Sequence, residues 1–121
     1  MSKAQNSKQY DLEDPTPAFA KDVRSFVKKL PKTLANIEDG KQLIKASGSV
    51  SANYIEANEA LSKKDFIMRI KLCRKEGKES RYWLRLISTE DIRELEEERR
   101  DLERKASELT NILGSILTKS S

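Results

Sequence analysis

Histidine is absent from this 121-residue chain, and cysteine occurs once, as Cys73. Those two facts remove most of the side-chain chemistry available to a small enzyme. Ser-His-Asp and Cys-His systems need an imidazole base, and the Glu-x-x-His pairs of di-iron bundles need it as a ligand. One thiol cannot build a structural zinc site. Cys73 falls in an apolar seam beside Ile70, where a small core filler is expected; as a nucleophile it would lack its base. What remains is carboxylate chemistry and positive charge. Glu56, Glu76 and Glu79 flank slim helix faces and could converge as a paired-carboxylate or metal site. The plainer reading has Asn53 and Glu56 bonding to Arg or Ser side chains of a neighbouring helix and fixing register. The expectation is a protein that is not an enzyme, with no catalytic residue, no cofactor, no metal and no small-molecule substrate.

The positive charge is better organised. Between Ser62 and Ser88 stand nine lysines or arginines against Asp65, Glu76 and Glu79, a net of +6. Lys64, Lys71, Lys75, Lys78 and Arg85 share one heptad face with Tyr82 interleaved, and Arg74 and Arg81 continue the patch to one side. A positive stripe carrying an aromatic suits phosphate-backbone binding, with Tyr82 able to stack on an exposed base. The same stripe can be a plain solvated or intersubunit face. From Glu90 to Glu108 the chain holds nine acidic residues against five basic ones, an opposite excess that could neutralise it. Some of those acids should pair locally at i, i+4, as Glu96–Arg100 and Asp101–Lys105, for only about 0.2–0.5 kcal/mol each.

These residues must be positioned by helices. Hydrophobic and charged residues each make up 36% of the chain, with four Gly and three Pro, and mean hydropathy is −0.73. Too few turn residues are present for a sandwich or barrel, whereas long helices with ionic outer faces fit. The length suits one domain. Residues 1 to 14 read as a flexible or partly docked lead-in, and 15 to 121 as a single four-helix bundle domain.

Thr16 as N-cap and Pro17 at the first helical position predict a short first helix with the stripe Phe19, Val23, Phe26, Leu30, stopped by Pro31. The second seam is Gly40, Leu43, Ser47, Val50, Tyr54, Ala57, Leu61. Gly48 lies inside that helix at a cost of about 1 kcal/mol relative to alanine, so a break at Ser47-Gly48-Ser49 is the rival reading. The seam keeps phase across the triplet, which favours one helix. Ser62 with Asp65, and Ser88 with Asp91, form capping boxes for the third and fourth helices. Their seams run Phe66, Ile70, Cys73, Gly77, Ser80, Leu84, Ile87 and Ile92, Leu95, Arg99, Leu102, Ala106, Leu109, Leu113, Ile116, with Ile112 and Leu117 widening the last turns. The predicted helices cover roughly 16–30, 35–61, 63–87 and 89–118. Short connections between them imply an all-α, antiparallel up-down-up-down bundle. Leu72, Trp83 and Leu86 lie off the seam, and Trp83 and Leu86 are expected to meet a neighbouring subunit. The start of the chain has no secretory pattern, no apolar run is long enough to span a bilayer, and the lone cysteine fits a reducing compartment. The expected location is the cytoplasm, with no membrane partner.

Several stretches also resemble a known family. They are Phe26-Val-Lys-Lys-Leu-Pro-Lys-Thr-Leu-Ala-Asn-Ile37, Gly48-Ser-Val-Ser-Ala-Asn-Tyr-Ile-Glu-Ala57, Ser62-Lys-Lys-Asp-Phe66 and Lys75-Glu-Gly-Lys-Glu-Ser-Arg-Tyr-Trp-Leu84. Together they resemble the four-helix bundle proteins also called 23S rRNA-intervening-sequence proteins, and are similar to the accessory protein of diversity-generating retroelements. The resemblance runs from Tyr10 to about Lys119. It implies a bundle that assembles as a ring-shaped homopentamer with a positive surface suited to RNA or DNA, and no associated enzymatic activity. Gly77 stands where the family usually has alanine, and Asp14-Pro15-Thr16-Pro17 departs from its usual lead-in.

Three functions are thus in view: an oligomeric nucleic-acid binder, a purely structural assembly or protein-interaction module, and a carboxylate or metal enzyme resting on Glu56, Glu76 and Glu79.

Overall fold

The computed structural model describes residues 11 to 120. Four helices make up the fold: α1 Pro15–Lys28, α2 Leu34–Asn58, α3 Lys63–Leu86 and α4 Arg93–Ser120. No strand occurs among the described residues. Each helix packs on its sequence neighbour, and α1 also packs on α4, which closes the antiparallel up-down-up-down bundle.

The expected stripes form the core. Val23, Phe26, Leu43, Val50, Ile70, Cys73, Leu84 and Leu113 are fully buried. A large apolar side chain so placed contributes about 1.5–3 kcal/mol relative to exposure. Burial pushes the Cys73 thiol up to about 12, which keeps it protonated and makes it the core filler expected. Helix α2 runs unbroken through Ser47-Gly48-Ser49. Two of its hydroxyls bond within the helix, Ser47 Oγ donating to the Ile44 carbonyl and Ser51 Oγ to that of Gly48. Asn53 and Glu56 both face Arg69 of α3: Arg69 Nη1 donates to Asn53 Oδ1 at 3.3 Å, and Nη2 lies 4.0 Å from Glu56. The expected arginine of a neighbouring helix is thus the partner of both.

Several boundaries move. The cap of α1 is Asp14, not Thr16. Thr16 is buried inside the first turn, and its Oγ1 donates to the Leu12 carbonyl at 2.6 Å. Leu12 explains the shift. It is core, and its N–H donates to the Tyr54 hydroxyl at 3.3 Å, so the end of the lead-in docks and starts the helix early. Residues 1 to 10 of that lead-in lie outside the described residues. At its other end α1 stops at Lys28, and Leu30 tucks beneath the bundle before Pro31.

Helix α2 ends at Asn58, so Leu61, expected in the seam, falls in the turn and is 100% exposed. The Ser62 cap forms as expected, its Oγ accepting from Asp65 N. The matching Ser88 cap does not. Ser88 Oγ accepts from Glu90 N, Thr89 turns inward to donate to Glu96 Oε1 at 2.9 Å, and Glu90 and Asp91 take left-handed φ values of 52° and 60°. Four residues that the pattern assigned to the fourth helix therefore form its entry turn. Asn36, which sequence reasoning passed over, locks this corner. Its Nδ2 donates to the Pro31 and Ser88 carbonyls and its Oδ1 accepts from Ser88 N, so the α1–α2 and α3–α4 connections are tied together.

Candidate functional site

Helix periodicity places Lys64, Lys71, Lys75, Lys78, Tyr82 and Arg85 within about a third of the circumference of α3. All six are exposed, and they lie opposite the buried Ile70, Cys73, Gly77, Ser80 and Leu84. Arg74 and Arg81 occupy the edge of this face nearest α4, Arg81 exposed and Arg74 half-buried. The structure thus brings the eight expected residues onto one face. Tyr82 is 54% exposed, with its ring edge-on to Trp83 at 4.9 Å, which leaves much of its surface open. Trp83 itself is half-buried against the bundle's own core.

Whether the face keeps its charge depends on the acids of α4, and they are mostly engaged elsewhere. Glu96 binds Arg99 and Arg100, Glu103 binds Arg99, and Asp101 binds Arg104 and Lys105. Both expected local pairs are present. Glu98 reaches across to Lys29, just past the end of α1, and Lys105 to Asp22 of α1. The Arg99 guanidinium, helped by Thr89 and Arg100, holds the Glu96 carboxyl down at about 2. Lys105, helped by Arg104, lowers that of Asp101. Among the described residues of α4, Glu103 is the one acid that meets the α3 face, accepting from Arg85 Nε at 3.2 Å. Within α3, Lys75 pairs with Glu79 at 3.6 Å. Among the described residues, Lys64, Lys71, Arg74, Lys78 and Arg81 form no ion pair.

The three carboxylates considered for an enzyme do not assemble. Glu56 faces Arg69, while burial and the adjacent Glu79 raise the Glu76 carboxyl. Among the described residues no group of three or more His, Cys, Asp or Glu is placed to hold a metal ion, and no helix is long and apolar enough to cross a membrane.

One half of the site was not read from the sequence. A groove between α3 and α4, formed by adjoining hollows of about 350 and 510 Å³, is lined on one side by Arg74, Lys78 and Arg81 and on the other by Thr110, Asn111, Gly114 and Ser115. From Leu109 to the end of the chain there is no Asp or Glu. That acid-free run was the available signal. It points to the groove only once Gly114 is known to lie against Arg74.

Residues 9–115 match the 23S rRNA-intervening sequence protein family. The chain belongs to that family. The matched span takes in the whole α3 face and the groove as far as Ser115. A crystal structure of a protein of unknown function, from the S23 ribosomal protein family of Bacteroides thetaiotaomicron, has a similar fold. It superimposes with a TM-score of 0.73 at 26% identity, over 88% of this chain and 97% of that one. No curated protein matches this family member.

Proposed function

We propose that this protein is a non-enzymatic homo-oligomer that binds nucleic acid, RNA or single-stranded regions, through the outer face of α3. One observation carries the reading. Among the described residues, five of the seven cations on that face have no carboxylate partner, because the acids of α4 turn inward along their own helix or toward α1. A solvated face balanced by its neighbour would show cross-helix pairs along its length, and here Arg85–Glu103 is the one that α4 supplies among the described residues. Unneutralised cations in a row attract a phosphate backbone, and binding displaces the counterions condensed on it. Oligomerisation, pentameric as the family resemblance implies, repeats the face and raises avidity without new contacts.

Filter binding of labelled single-stranded and duplex RNA across a salt series tests this. Affinity is expected to fall steeply with salt, and Lys71→Gln with Lys75→Gln and Lys78→Gln to weaken binding to all sequences while helicity is kept. Tyr82→Ala should weaken single strands more than duplex. Unchanged binding by the triple variant would transfer the lead to a purely structural assembly.

A further inference from the structure

We propose that the groove between α3 and α4 is a phosphodiester subsite anchored by Arg74. The proposal rests on the nucleic-acid reading above and adds where the backbone sits and which α4 residues hold it. The arginines of α4 and the arginine opposite its first half each have a carboxylate: Arg99 has Glu96 and Glu103, Arg104 has Asp101, and Arg85 has Glu103. Arg74 has none. Its Nε is buried without a hydrogen-bond partner, in a helix–helix boundary whose α4 side is free of acids. A desolvated guanidinium N–H lacking an acceptor is an unusual state for a folded protein, and an oxyanion entering the groove beside Arg74 would relieve it.

The surroundings suit an anion rather than an apolar guest. A Cβ at Gly114 would lie 3.6 Å from Arg74 Nε and 3.8 Å from Cζ, so the guanidinium packs close to the α4 backbone where it lines the groove. Thr110 and Thr118 already donate their hydroxyl protons to the Ser107 and Gly114 carbonyls. The exposed Asn111 amide and Ser115 hydroxyl remain as donors beside it. Arg74, Lys78 and Arg81, spaced i, i+4, i+7, extend the positive wall for about 10 Å along α3, enough to follow a strand rather than one isolated ion. The ligand this recognises is a phosphodiester chain. A carboxylate of a second copy of the protein is the competing occupant.

The test compares Arg74→Gln and Gly114→Asp, the second placing a carboxylate beside an unaltered Arg74, with Lys41→Gln as a cation substitution away from the face. Filter binding of a labelled single-stranded RNA oligonucleotide over a salt series is read with circular dichroism and light scattering. Both groove variants are expected to lose affinity by about tenfold at low salt and to reduce the salt slope by about one, with helicity and mass unchanged and Lys41→Gln like wild type. If either variant unfolds, Asn111→Ala, on the exposed side of α4, carries the comparison with a smaller loss of affinity expected. Wild-type affinity and slope in the groove variants, beside weakened binding by the Lys71, Lys75 and Lys78 triple variant, would overturn the groove and leave the outer face standing. A fall in mass caused by Arg74→Gln would overturn it in favour of the second copy. Absence of binding by the wild-type protein at every salt concentration would remove the nucleic-acid reading, and the groove proposal with it.

Discussion

A methyl group at position 77 would stand 2.7 Å from Thr110 Cγ2, closer than carbon atoms tolerate. The family usually has alanine there, and alanine would gain about 1 kcal/mol in helix propensity. Thr110 cannot yield freely, because it is β-branched and its Oγ1 is bonded to the Ser107 carbonyl at 2.8 Å. Overpacking of this kind costs about 1–3 kcal/mol, so Gly77→Ala is expected to destabilise the protein by about 1 kcal/mol in urea unfolding. Adding Thr110→Ser removes the clashing methyl and should bring stability to the wild-type level or above. A stabilised Gly77→Ala single variant would refute the close contact. The slimness of this seam was legible, since Cys73, Gly77 and Ser80 recur at helical spacing and all three are buried. Asn36 was not. Its partners at Pro31 and Ser88 are brought to it by the closing of the bundle, and a polar residue at the head of an exposed turn gives no local sign of burial.

Among the elements, the two Ser-x-x-Asp patterns show why type was easier to read than boundary. After Ser62 the chain continues directly into α3, and the serine caps it. After Ser88 the same letters are overruled, because Thr89 finds a partner one turn inside α4. That partner is Glu96, whose carboxyl gathers Thr89, Arg99 and Arg100 and fixes the angle at which α4 starts. Its folded value of about 2 lies below the ordinary 4.5, so it binds protons less readily in the folded state. The stabilisation is therefore complete above about pH 5 and is lost as pH falls through about 2. Asp101, lowered by Lys105, acts in the same direction. Thermal unfolding followed from pH 6 to 2 is expected to show Glu96→Gln less stable than wild type at the upper end, with the two curves converging near pH 2. Parallel curves would mean that the entry turn is held by packing alone. The basic face of α3 was legible in the same way as its seam, by counting residues on one helix. The groove was not, since pairing Arg74 with Gly114, forty residues apart in the chain, needs the register of two helices.

For the whole molecule, four of the large apolar side chains left exposed carry the assembly expectation. Leu34 is 79% exposed, Leu86 48%, Ile37 43% and Ile92 42%. They come from the start of α2, the end of α3 and the entry to α4, which the up-down course of the chain brings to one end of the bundle. Asn36, through its bonds to Ser88, keeps that end together. Scattered exposed leucines are ordinary, but several gathered at one rigid end form a patch that another copy can cover. Trp83 contributes less than its place off the seam suggested, because its ring packs partly on its own core. Light scattering of the wild-type protein is expected to give an oligomer at micromolar concentration. Leu34→Ser combined with Leu86→Ser should lower that mass without loss of helicity, and neither change alters the charge of the α3 face. Apparent affinity for long RNA should then fall by at least about tenfold, because one linked array becomes separate weak sites, while affinity for an oligonucleotide short enough to occupy one subunit stays near wild type. A wild-type monomer would end the assembly claim. An unchanged mass in the double variant would place the interface away from this end, and equal losses on long and short RNA would show that the apolar end itself touches the nucleic acid.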